Sequence, residues 1–143
     1  MKASAGTVAR AEVSAEGSNE MPKKILLVDD SLIPLTLHAL ILVEAGYVCS
    51  QALNGYLALE MLLKESFDMI ITDVNMPRID GYELTRTVRS TPGYETVPII
   101  IVTTESESGD RRQGMEAGAN VYLVKPTPPQ VLLTQVAMLL AMG

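Results

Sequence analysis

Five short apolar runs recur along this chain, each separated from the next by a stretch of helix length. They are KILLV at 24–28, YVCSQA at 47–52, DMIIT at 68–72, VPIIIV at 97–102 and NVYLV at 120–124. Runs of this length rich in Val and Ile read as strands, and the intervening segments carry helical patterning. Helices are expected over 31–45, 55–65, 80–90, 106–117 and 128–141. Gly46 and Gly118 stand just past two of them, where a left-handed residue closes a helix. Thr127 followed by Pro128 and Pro129 predicts an N-cap and first-turn prolines. Strict alternation of strand and helix over about 120 residues predicts an α/β domain with a doubly wound parallel sheet. No repeat of solenoid period is present.

The ends of these runs carry the chemistry. Asp29 and Asp30 follow KILLV, Asp73 follows DMIIT, Thr103 follows VPIIIV, and Lys125 follows NVYLV. In an open parallel sheet the carboxyl ends of the strands face one crevice, where ligands bind. Residues dozens of positions apart would therefore converge. Three carboxylates, a hydroxyl and an ammonium suit a hard divalent cation and a phosphoryl group. Taken singly, an aspartate after a strand is an ordinary turn or cap residue, and a lysine an ordinary solvated charge. All of them at matching strand ends would be a fourfold coincidence.

Composition narrows the alternatives. The 143-residue chain has a net charge of −6 and no run of Lys or Arg, which argues against nucleic acid or an anionic membrane as a partner. A single cysteine, Cys49, rules out an intramolecular disulfide and fits a reducing, cytoplasmic setting. No apolar stretch approaches membrane-spanning length. Residues 1–21 are rich in Ala, Ser, Gly and Glu without periodicity and read as a disordered tail. Met21 could itself be a start. The domain proper is expected over 22–143.

Four motifs, VDDS at 28–31, TDVNMPRIDG at 72–81, VTTES at 102–106 and YLVKP at 122–126, together resemble a response-regulator receiver domain of two-component signalling, of the single-domain chemotaxis type. The likeness covers residues 23–143. It implies a (βα)5 flavodoxin-like fold with five parallel strands in the order 2-1-3-4-5. It also implies that Asp73 accepts a phosphoryl group from a sensor histidine kinase or phosphotransfer protein, with Lys125 and Thr103 holding phosphoryl oxygens. Mg²⁺ would be held by Asp30 and Asp73 directly, by Asp29 through water, and by the backbone carbonyl of Asn75. Such a domain is not an enzyme acting on other substrates; it catalyses only its own phosphorylation and dephosphorylation. Thr103 and Tyr122 would form the switch, Tyr122 moving inward as Thr103 engages the phosphoryl group and so changing contacts with a downstream target. Asn75 and Glu105 occupy the positions that tune dephosphorylation, and their polar and acidic character predicts a short-lived phosphoryl group. Lys125-Pro126 resembles the family's cis peptide.

Some features depart from the family or lie outside its motifs. Thr127 stands where receivers commonly carry Phe, which alters packing at the start of the last helix. Gly109 and Gly114 weaken the fourth helix by about 1 kcal/mol each relative to alanine. The first helix has no charge before Glu44, and none occurs after Lys125. Such helices either sit in a thick core or keep apolar area for a partner or a homodimer. Cys49 reads as a buried small hydrophobe, His38 as a packing or surface residue, and Pro77 and Gly81 as shaping the loop after Asp73. Two other functions compete. A haloacid-dehalogenase-like phosphatase would need an aspartate where Asn75 stands. A non-phosphorylated pseudo-receiver would be expected to lack part of the acidic set, which is complete here.

Overall fold

The computed structural model describes residues 21–142. The expected tail over 1–21 lies, apart from Met21, outside the described residues. Five strands and five helices alternate: β1 (Lys24–Val28), α1 (Leu32–Glu44), β2 (Val48–Ala52), α2 (Gly55–Lys64), β3 (Met69–Thr72), α3 (Gly81–Arg89), β4 (Ile99–Thr103), α4 (Ser108–Ala117), β5 (Val121–Val124) and α5 (Pro129–Met142). The strands form one parallel sheet in the order β2-β1-β3-β4-β5. Each observed boundary lies within two residues of the sequence expectation.

Register explains why the strand-end residues meet. Val28 pairs with both Ala52 and Thr72, so Asp29 and Asp73 leave neighbouring strands at one level. Thr103 pairs with Val124, which puts Lys125 one residue beyond.

The central strands are buried on both faces. Leu26, Val28, Ile70, Ile99 and Ile101 face α2, α3 and α4, together with Ala58, Leu62, Leu84 and Val88. Ile25, Leu27, Met69, Ile71, Ile100 and Val102 face α1 and α5, with Leu35, Leu42, Leu132 and Val136. This accounts for the unbroken apolar runs, since a strand covered on both sides needs no polar alternation.

The uncharged helices turn out to be apolar on both sides. In α1, Leu35 and Leu42 are buried, while Ile33, Leu37 and Leu40 are 80%, 53% and 64% exposed. These three follow the i, i+4, i+7 spacing of one helix face. Met138 on α5 is also exposed. Their apolar side chains therefore extend beyond the core.

Two local expectations are corrected. Thr127 does not cap α5: its hydroxyl donates to the Val124 carbonyl at 3.0 Å. Pro128 occupies the cap instead, its carbonyl accepting from the amides of Val131 and Leu132. Gly81 does more than permit a turn. Its amide donates to Val74 O at 2.9 Å, and a Cβ there would run into the Asp73 carbonyl, so only glycine lets α3 start this close to the strand end. Gly46 and Gly118 are left-handed as expected, with φ of 105° and 117°.

At the amino end of the sheet, Arg89 ties several segments together. Its guanidinium donates to the carbonyls of Gly118, Val97 and Tyr94 and to Asn120 Oδ1. Asn120 Oδ1 also accepts from the Ile99 amide at 2.8 Å. No helix among the described residues is long and apolar enough to cross a membrane.

Candidate functional site

Asp29, Asp30 and Asp73 each present a carboxylate oxygen within 4.8 Å of the other two. Asp29 and Asp73 are buried and Asp30 is exposed, so the cluster opens to solvent on one side. Both oxygens of Asp29 accept hydrogen bonds. Its Oδ1 accepts from the Ser31 amide at 2.9 Å and its Oδ2 from Lys125 Nζ at 2.8 Å. It therefore serves as a turn residue and as the counter-ion of the lysine. Lys125 follows a cis Lys125-Pro126 bond and reaches Asp73 Oδ1 only at 3.9 Å.

Asp73 is the under-satisfied member. Its Oδ1 is buried and has no hydrogen-bond partner. A buried carboxylate oxygen without a donor is costly, of order 1–3 kcal/mol or more. Burial pushes the Asp73 carboxyl above its ordinary range; the Thr103 hydroxyl and the Lys125 charge work against that shift, and the Asp29 charge adds to it. A hard cation would relieve this charge. The donor set is all oxygen and mostly carboxylate, as Mg²⁺ requires. Each oxygen of Asp29 already accepts one hydrogen bond, whereas Asp73 Oδ1 accepts none.

The rest of the expected site surrounds this cluster. Thr103 is fully buried at the end of β4, and its Oγ1 accepts weakly from the Glu105 amide at 3.4 Å. Asn75 and Glu105 meet across the mouth of the site, Asn75 Nδ2 donating to Glu105 Oε2 at 2.9 Å. Tyr122 points inward and is 3% exposed.

His38, expected to be a packing or surface residue, is a neighbour of the site. It lines a small cavity of about 10 Å³ with Asp29, Thr72 and Asp73, beneath the acidic cluster. Burial and then the Lys125 charge hold its imidazole below the ordinary value, so it is neutral at pH 7. Only its helical spacing from Leu35 and Leu42 could have signalled an inward position. Cys49, expected to be buried, is half-buried, and burial pushes its thiol up to about 12.

A family model for the response regulator receiver domain matches residues 25–137. The chain belongs to the response regulator receiver family. The chemotaxis protein CheY homolog of Campylobacter jejuni is 38% identical over 122 residues, which span 84% of this chain and 94% of that protein. A gliding motility regulatory protein of Myxococcus xanthus is 37% identical over 102 residues, or 71% of this chain but 13% of that protein. Receivers thus occur both nearly alone and as small parts of much longer relatives. Among solved structures, the chemotaxis response regulator CheY4 of Vibrio cholerae superimposes with a TM-score of 0.79 at 37% identity, covering 83% of this chain and 99% of that one. The receiver domain of the sensor histidine kinase PA1611 from Pseudomonas aeruginosa gives 0.78 at 31% identity, covering 84% and 98%. That domain holds a magnesium ion in its active-site cleft.

Proposed function

We propose that this receiver takes a phosphoryl group onto Asp73 from a histidine kinase or phosphotransfer protein and relays that charge change to a protein partner. The observation that carries the reading is the buried Asp73 Oδ1, which has no hydrogen bond and only a long ion pair with Lys125, set beside Asp29 and Asp30 at aligned strand ends. A carboxylate oxygen of Asp73 attacks phosphorus; the bond to the donor's nitrogen or oxygen breaks, its electron pair leaves with the donor, and an acyl phosphate remains. Bound Mg²⁺, held by Asp30, Asp73 and the Asn75 carbonyl, with Asp29 acting through water, would offset the negative charge that gathers as two anions approach. Lys125 is placed to follow the new charge, exchanging Asp29 for a phosphoryl oxygen. The buried Thr103 hydroxyl offers a further donor, and Tyr122 reads its movement. The domain is self-modifying and turns over no other substrate.

Asn75 and Glu105 guard the approach of water. Their hydrogen bond brings a carboxylate and an amide to the mouth of the site, which supports a phosphoryl group of short life. The same bond weakens the phosphatase reading, because an amide cannot act as the general acid and base such enzymes need there. The complete acidic set, with lysine and threonine, speaks against the pseudo-receiver.

The exposed stripe Ile33, Leu37 and Leu40 on α1 fits a helix of the phosphodonor, laid beside the site by knobs on one face. Self-association through α1 and α5 is the other occupant of that surface, and sedimentation of the free domain at micromolar concentration separates the two. A cytoplasmic setting suits a single cysteine and a kinase partner.

The test is intact mass after mixing with a small phosphodonor and Mg²⁺. A phosphoryl adduct is expected on the wild type, absent without metal and absent from Asp73→Asn, and decaying within minutes. An adduct on the Asp73→Asn protein, or none on the wild type, would refute the reading.

A further inference from the structure

Tyr122 lies in a slot left open by a missing side chain. Its ring sits against the buried face of α4, where a Cβ on Gly114 would come to 2.8 Å from Tyr122 Cδ2 and 3.0 Å from Cε2. Separations that short are not tolerated, so one of the two groups would have to move. The ring is held from several directions. Its hydroxyl donates to the Glu105 carbonyl at 2.9 Å, Arg111 Nη1 donates to the Tyr122 carbonyl at 3.0 Å, and the Arg111 guanidinium lies 5.3 Å from the ring centroid. The remaining neighbour of a Gly114 Cβ, Ile101 Cδ1 at 3.2 Å, is a terminal methyl that can shift.

Tyr82 completes the slot from α3. Its hydroxyl stands 3.3 Å from the Tyr122 hydroxyl and 3.2 Å from the Asp110 carbonyl. A phenol has one proton, and Tyr122 gives its own to Glu105. Tyr82 donates its single proton to the Asp110 carbonyl, and its oxygen lies in polar contact with the Tyr122 hydroxyl. Burial raises both phenols, so both stay protonated at neutral pH. Glu105 links this pair to the acidic cluster: its carbonyl accepts from Tyr122 while its carboxylate accepts from Asn75.

We infer that Gly114 and Tyr82 are positioning residues for Tyr122: Gly114 admits the ring to the interior, and Tyr82 holds its hydroxyl there. The inference rests on the reading of Tyr122 as the element that answers phosphorylation. On this account Gly114 is the shape requirement of the switch rather than only a weak point of α4. The two views differ in sign. A mere helix weakness is repaired by alanine whatever stands at position 122, whereas a slot is repaired only when the ring is gone.

Two measurements test it. In 3-fluorotyrosine-labelled protein, the Tyr122 ¹⁹F resonance, assigned with Tyr122→Phe, is recorded in Mg²⁺ with and without beryllofluoride. It is expected at a buried shift in the wild type with beryllofluoride. In Gly114→Ala it moves to the solvent-exposed shift and stays there with beryllofluoride, although beryllofluoride still binds at Asp73. In Tyr82→Phe the exposed population rises severalfold. Melting is then compared in two backgrounds. Gly114→Ala lowers Tm in the parent and raises it in the Tyr122→Val background. A buried Tyr122 resonance in Gly114→Ala, or a raised Tm in both backgrounds, would overturn the inference. If the wild type binds no beryllofluoride at Asp73, the phosphoacceptor reading fails instead, and the melting comparison still decides whether Gly114 forms the slot.

Discussion

At the amino end of the sheet one cation, Arg89, donates to three carbonyls and an amide oxygen and needs no carboxylate. At the carboxyl end two of three clustered carboxylates, Asp29 and Asp73, share one ammonium, and a buried oxygen of Asp73 is left without a hydrogen bond. The same fold thus satisfies its polar groups at one end and leaves them short at the other. Buried polar groups are normally paired because leaving them unpaired is expensive. An end that stays short of partners is one that gains from binding something. The difference separates residues that hold the domain together from residues that make it act.

The comparison can be broken by mutating either end. The largest effect is expected at the satisfied end. Arg89→Ala leaves several acceptors unpaired and should cost about 4 kcal/mol by denaturant titration, while phosphoryl uptake by the folded fraction stays near wild type. Lys125→Met comes next. It removes the partner of a buried Asp29 and should cost about 3 kcal/mol, and here the rate of phosphoryl uptake should fall as well. Loss of stability with unchanged uptake would place Lys125 with Arg89, as a structural residue.

Asp73→Asn should do the opposite and stabilise the metal-free protein at pH 7 by about 1–2 kcal/mol. The sign follows from proton linkage. The Asp73 carboxyl is raised in the folded state, so between the unfolded and folded pKa values the native protein binds more protons. Stability contributed at this position is then present at acid pH and lost as pH rises through the folded value. The advantage of the asparagine should shrink as pH falls below that value, measured as unfolding free energy against pH. The smallest change is Gly109→Ala. Gly109 has open space around it and lies within the first turn of α4, so alanine should stabilise by about 0.5–1 kcal/mol, read as a small rise in Tm.

The legibility of the two ends in the sequence differs for a physical reason. Asp29, Asp73, Thr103 and Lys125 each stop an apolar run and Asp30 follows the first of them, so strand periodicity and the rule for parallel sheets place them from the sequence. Arg89 stops nothing. Its partners are mostly backbone carbonyls, which carry no side-chain signature, and it looks like any basic residue in the last turn of a helix. Tyr82 and His38 are hidden in the same way, because what matters is what they face across the fold. Glycines were the least legible. Gly114 read as a helix breaker and Gly81 as a turn residue, yet each is required by a neighbour that local pattern does not reveal, the Tyr122 ring in one case and the Asp73 carbonyl in the other. The uncharged first helix left a thick core and a free surface open, and the exposure of Ile33, Leu37 and Leu40 favours the surface.

The most direct test of an acidic end kept short of partners until it binds is the unfolding free energy of wild type and Asp73→Asn, each with and without Mg²⁺. Without the ion, the variant should be the more stable. Adding Mg²⁺ to ten times its dissociation constant should stabilise the wild type by about 1.4 kcal/mol and the variant by much less, closing the gap. A variant less stable than wild type without the ion, or an equal gain in both proteins, would contradict the account.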